Sequence, residues 1–133
     1  ERLVADAGLS DTVEFLGHRP DSLRWVAAAD VFFLSAREDA FPLVCVEAAA
    51  LGRPLVSFDS GGTPELITAA GCGEVAPFPD VDAAATAIAG LMDDDARRER
   101  QGAAGAEFAA RHLTIDAAGP RLLASIEATI AAR

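Results

Sequence analysis

The sequence predicts an α/β fold built on a doubly wound parallel sheet, and three observations carry that prediction. Short β-rich apolar runs alternate with longer Ala/Leu-rich runs, the pattern of βαβ units joined by right-handed crossovers. The run Val31-Phe32-Phe33-Leu34 is apolar at every position, as a strand covered on both faces requires. Gly17, Gly52 and Gly71 close apolar runs, while Pro42 and Pro64 stand near helix starts. At 133 residues the chain makes one domain, residues 1–133. A domain of that size buries roughly two-thirds of its unfolded surface without disulfides or metals.

Element by element, Leu3, Val4 and Ala7 follow helical spacing and Gly8 supplies a stop. This reads as the end of a helix that begins upstream of Glu1, so the sequence predicts a piece of a longer protein. Val13 to Leu16 reads as a buried strand ended by Gly17. Residues 21–29 read as a short helix with Leu23, Val26 and Ala27 on one face. Val31–Leu34 is the second strand, residues 42–51 a helix, and Pro54–Phe58 a third strand. Gly61-Gly62-Thr63-Pro64 introduces a helix through Ala70, and Glu74–Ala76 is a weak fourth strand. Beyond Val81 the pattern is a helical tail: one helix to about Asp93 capped by Asp80 or Asp82, one over 95–111, and one over 115–131 with Thr114 as N-cap.

Composition narrows the function. Eleven basic residues, all Arg, face twenty-one acidic ones, a formal charge of -10. That balance argues against wrapping nucleic acid, which needs the opposite field. With no Lys, Schiff-base chemistry within the chain is excluded. Cys45 and Cys72 stand 27 positions apart without a CxxC or a nearby His pair, so they read as small buried hydrophobes and not as a zinc site. No apolar run reaches the roughly 18 residues of a membrane helix, and no basic segment leads into an apolar one as in a signal peptide. The expected location is the cytoplasm.

Ligands of doubly wound sheets bind outside the carboxyl ends of the strands. Here those ends are followed by residues 17–21, 35–42 and 59–65, and the last two run directly into helix starts. Unpaired N–H groups there make an anion site, for which a diphosphate is the natural guest. Asp39 in the loop and Glu47 in the following helix are eight apart. Two readings of that pair stand: solvated charges favoured by the helix dipole, or carboxylates that accept from the vicinal hydroxyls of a ribose and a hexose. Gly61-Gly62 is equally open between a plain tight turn and a close backbone approach to a ligand. His18 and His112 read as surface or structural, and neither GxGxxG nor a P-loop occurs.

The segment from Ser35 to Ala48, with Asp39-Ala40-Phe41-Pro42 and Glu47, resembles the donor-site signature of family-four retaining GT-B glycosyltransferases. That signature is an acid, Gly-Phe-Gly or Gly-Phe-Pro, and a Glu eight positions after the acid. The flanking text is similar in order: Val13–Gly17 to "V-x-F-L-G", Ala29–Ser35 to "A-D-V-F-V-x-P-S", Gly52–Val56 to "G-x-P-V-V", Gly61–Glu65 to "G-G-x-P-E" and Gly71–Gly73 to "G-x-G".

The resemblance implies the nucleotide-sugar half of a two-domain transferase that acts with retention and without a bound metal or other cofactor. It assigns the ribose hydroxyls to Glu47 and the donor-sugar hydroxyls to Asp39, with Glu38 beside it as a substitute. It assigns the phosphates to the N–H groups of Phe41, Leu43 and Val44, the base to Gly17, His18 and Arg19, and the opposite wall to Gly61 and Gly62. The sequence departs from the pattern in three places: Asp39 replaces the usual Glu, Ala40 replaces Gly, and Pro42 lacks an N–H. The family's diphosphate-neutralising Arg and Lys, its acceptor domain and the first two strands of its six, in the order 3-2-1-4-5-6, fall upstream of Glu1. The fold class is then a Rossmann-like sheet with four of six strands. Either Val13–Leu16 pairs directly with Val31–Leu34, or another chain fills the gap, because an open apolar edge invites self-association. A second functional reading is a non-catalytic relic of the same fold that serves as a binding or interaction module.

Overall fold

A computed structural model describes residues 1–132. Among them the order is α1 (Arg2–Asp6), α2 (Ser22–Ala28), β1 (Phe32–Leu34), α3 (Leu43–Ala50), β2 (Leu55–Phe58), α4 (Thr63–Ala70), β3 (Gly73–Ala76), α5 (Val81–Met92), α6 (Asp95–His112) and α7 (Ile115–Ala131). The three strands form one parallel sheet in the order β1-β2-β3, with Phe32 opposite Leu55 and Leu55 opposite Gly73. It is the Rossmann-like arrangement expected, with three strands in place of four.

The missing strand is Val13–Leu16, which forms no ladder. The Val13 N–H donates instead to the Leu9 carbonyl at 2.9 Å, and Val13 and Phe15 are 37% and 54% exposed. A strand exists only through its neighbour's hydrogen bonds, and this segment has no partner strand among the described residues. It does not pair with β1, so the first of the two expected arrangements is corrected. The outer edge of β1 has no strand beside it among the described residues.

Side chains alternate across the sheet as the pleat demands. One face packs Leu55 with Cys45, Ala48 and Ala49 of α3, Leu66 and Ile67 of α4, and Cys72. The other packs Phe58 and Ala76 against Ala84 of α5, with Phe33 beside them. Phe33 meets Phe58 edge-on at 5.6 Å between ring centroids. Helix α6 closes over α3 through small residues. A Cβ at Gly102 would overlap the Gly52 carbonyl, and one at Gly105 would stand 3.0 Å from Cβ of Cys72. This close approach fixes α3, the helix that carries Glu47, against the sheet. Helices α5, α6 and α7 are capped by Asp80, Asp94 and Thr114, whose side chains accept from the N–H groups of Ala83, Arg97 and Ala117. Both cysteines are free and buried.

Candidate functional site

Because β1 and β2 are adjacent and parallel, the loops that leave Leu34 and Phe58 start side by side on one rim. Each runs into a helix, α3 at Leu43 and α4 at Thr63. Backbone packing then joins the two loops. Gly61, at φ 68°, lies against the Asp39 carbonyl so closely that a Cβ would overlap that oxygen. A Cβ at Gly62 would overlap the Ala40 carbonyl and stand 2.8 Å from the Phe41 ring. The Ser60 hydroxyl donates to the Arg37 carbonyl at 2.6 Å. Beneath them the buried Thr63 hydroxyl donates to Sγ of Cys45 at 3.6 Å, joining the first turns of α4 and α3.

The charge at this rim has a position. Burial pushes the Cys45 thiol up, the Thr63 hydrogen bond opposes the rise, and the Asp39 carboxylate adds to it. Asp39 stands four positions before Leu43, the first residue of α3, so its loop leads into the first turn of that helix. That turn has no side-chain cap: Pro42 is its N-cap, in extended conformation at φ −71° and ψ 129°. The N–H groups of Leu43 and Val44 are therefore among the donors that a helix leaves unpaired at its start. The start of α4 at Gly62 is also uncapped. The same is true of the two short N-terminal helices α1 and α2. Ala40 adopts the loop without strain, since no non-glycine residue among those described has a positive φ. The Gly-to-Ala departure thus falls where the backbone needs no left-handed conformation.

Glu47 sits in the second turn of α3, half-buried and outside both apolar clusters. Cys45, two positions earlier, faces the core, and a 200° rotation turns Glu47 to the other side of the helix. Its carboxylate makes no hydrogen bond or ion pair among the described residues. Glu38, Asp39, Phe41 and Leu43 are exposed. Gly17, His18 and Arg19 stand apart. Arg19 pairs with Asp21 at 3.9 Å and stacks over Trp25 at 5.2 Å, and none of the three bonds to either loop among the described residues. The end of α2 is held at the opposite rim, where Nη1 of Arg53, just before β2, donates to the carbonyl of Ala29, just before β1, at 3.1 Å.

A cavity of ≈ 400 Å3 lined by Asp30, Arg53, Arg98 and Glu99 opens at that opposite rim. Its arginines are already engaged by the carbonyls of Ala29, Leu51, Leu91 and Met92. Among the described residues no three His, Cys, Asp or Glu side chains come together as a metal site. Sequence reasoning did not single out Ser60 or Thr63. Their partners lie 23 and 18 positions away, and no local spacing signals such a pairing.

The chain is 35% identical over 130 residues to a GDP-mannose-dependent monoacylated alpha-(1-6)-phosphatidylinositol monomannoside mannosyltransferase of Corynebacterium glutamicum, covering 91% of this chain and 33% of that protein. It is 36% identical over 113 residues to a D-inositol 3-phosphate glycosyltransferase of Corynebacterium kroppenstedtii, covering 84% and 25%. The chain therefore spans about a third or less of the length of these relatives. Among solved structures, sucrose-phosphate synthase from Thermosynechococcus elongatus superposes with a TM-score of 0.87 at 27% identity, over 99% of this chain and 34% of that one. Anabaena HepE in complex with UDP shares the fold at a TM-score of 0.87 and 22% identity, over 96% and 35%. Residues 1–108 match the family model described as glycosyl transferases group 1, and with relatives and folds of the same kind along nearly its whole length, the chain belongs to that family.

Proposed function

We propose that the chain is the donor-side half of a retaining glycosyltransferase. In this reading it binds a nucleoside diphosphate sugar for transfer to an acceptor held by a domain outside these residues, and alone it is inactive. The observation that carries the reading is the convergence of Asp39, the uncapped start of α3 and the Gly61-Gly62 loop on one rim. The N–H groups of Phe41, Leu43 and Val44 take the diphosphate, where helix-start donors favour negative charge. As the sugar–phosphate bond breaks, charge builds on the departing diphosphate, and fixed donors stabilise it there without reorganising. Asp39 and Glu38 accept from the sugar hydroxyls and Glu47 from the ribose. Gly17, His18 and Arg19 border the base.

The names of the relatives support the donor class: one is GDP-mannose-dependent, and HepE was solved with UDP. The outer edge of β1 is where the rest of the sheet joins in the intact protein, a second copy being the other occupant such an edge admits. Two free thiols fit a reducing, cytoplasmic location, and no helix among the described residues is long and apolar enough to cross a membrane.

Calorimetric titration of the intact protein with GDP-mannose and UDP-glucose tests the reading. Binding of one of them, weakened at least tenfold by Glu47→Ala, is the expected result; one lost charged hydrogen bond is worth about 1.5–3 kcal/mol. Binding of neither leaves the non-catalytic relic as the better description.

A further inference from the structure

The loop that carries the donor-side acids is held by very little. Among the described residues Arg37 to Phe41 make no backbone–backbone hydrogen bond, and none of them belongs to a helix or strand. One hydrogen bond fixes the segment: the Ser60 hydroxyl to the Arg37 carbonyl, 2.6 Å long and spanning 23 positions. The glycines beside Ser60 give the loop a surface to lie on, because Gly61 and Gly62 meet the carbonyls of Asp39 and Ala40. Packing limits how near the loop can come, and the hydroxyl fixes its register along that surface.

We propose that Ser60 is a positioning residue that holds the Arg37–Phe41 loop in its ligand-binding conformation through the Arg37 carbonyl. The inference rests on the donor-binding reading above. Ser60 itself touches no ligand. Its hydrogen bond orders the loop before binding, so that ordering is not charged against the affinity for the part of the ligand the loop contacts. That part is the diphosphate and the sugar. The ribose contact belongs to Glu47 on α3, whose backbone is held by the helix and by the core on Cys45, Ala48 and Ala49. Losing Ser60 therefore separates two portions of one ligand.

The test is calorimetry on the intact protein with GMP and GDP-mannose, or with UMP and UDP-glucose if the uridine series binds more tightly. Ser60→Ala is expected to weaken the sugar nucleotide about five- to tenfold, the size of one lost intramolecular hydrogen bond, to leave the monophosphate unchanged, and to lower the melting temperature by a few degrees at most. Ser60→Thr, which keeps the hydroxyl, restores the sugar nucleotide. Should Ser60→Ala fail to fold, Ser60→Cys keeps the size with a weaker donor and carries the same comparison. Equal weakening of both ligands, or no weakening while Glu47→Ala still reduces binding, overturns the role of Ser60 and leaves the donor-binding reading intact. A wild-type protein that binds neither series overturns both.

Discussion

The α-carbon of Gly61 rests against the carbonyl oxygen of Asp39, with no room between them for a methyl group. Two loops from neighbouring strands thereby become one surface, and the acid is set by a residue 22 positions downstream. The left-handed φ of 68° at Gly61 makes the contact doubly dependent on glycine.

Gly61→Ala is expected to push the Asp39 loop off its seat and to cost about 1–3 kcal/mol of stability from overpacking and backbone strain. Chemical denaturation measures the stability, and calorimetry should show donor binding lost in a protein whose circular dichroism is unchanged. Wild-type binding in this variant would mean that the loop does not need its present path.

Gly102→Ala tests how α6 holds α3. The added methyl overlaps the Gly52 carbonyl, and α6 must move outward. A loss of about 1–3 kcal/mol is expected in urea unfolding, larger than for Ala103→Ser on the exposed side of the same helix, where substitutions stay within about 0.5 kcal/mol.

Asp39→Asn keeps the shape of the side chain and removes its charge. Affinity for the sugar nucleotide is expected to fall about threefold to tenfold, toward that of the bare diphosphate, because a neutral amide accepts a hydroxyl less strongly than a carboxylate. The Cys45 thiol should titrate lower, since Asp39 helps to raise it. Ultraviolet thiolate absorbance against pH, in a Cys72→Ala background, reads that shift.

Alkaline pH should weaken the fold. Burial, with a contribution from Cys45 and against a backbone hydrogen bond, pushes the Cys72 thiol up to about 11 from an ordinary 9.0. The folded state then keeps a proton that the unfolded state releases, so stability falls as pH rises from 9.0 toward 11. At the upper end the loss is on the order of 2–3 kcal/mol. Denaturation midpoints at pH 8 and pH 10.5 measure it, and Cys72→Ala should flatten the difference.

Most of the architecture is legible in the sequence because most of it is local. Asp80 and Thr114 announce the helices they cap, and the continuous apolar run at Val31–Leu34 marks a strand covered on both sides. Val13–Leu16, apolar but for Glu14, forms no strand, because a strand also needs a neighbour and composition does not report one. The site divides in the same way. Asp39 in the loop just before α3 follows from spacing along the chain. The Ser60 clip, the Gly61 seat and the Thr63–Cys45 bond join positions 18 to 23 apart, and only the parallel pairing of β1 with β2 brings them together.

In the proposed reading the start of α3, with the loop before it, takes up the diphosphate. Amide chemical shifts of the isotopically labelled protein, followed during titration with GDP and with UDP, test it most directly. Saturable shifts are expected at Phe41, Leu43 and Val44, with Gly61 and Gly62 responding as neighbours and Asp30 and Arg53 on the far rim unmoved. Shifts centred on the far rim, or none at Leu43 and Val44 at saturating nucleotide, would contradict it.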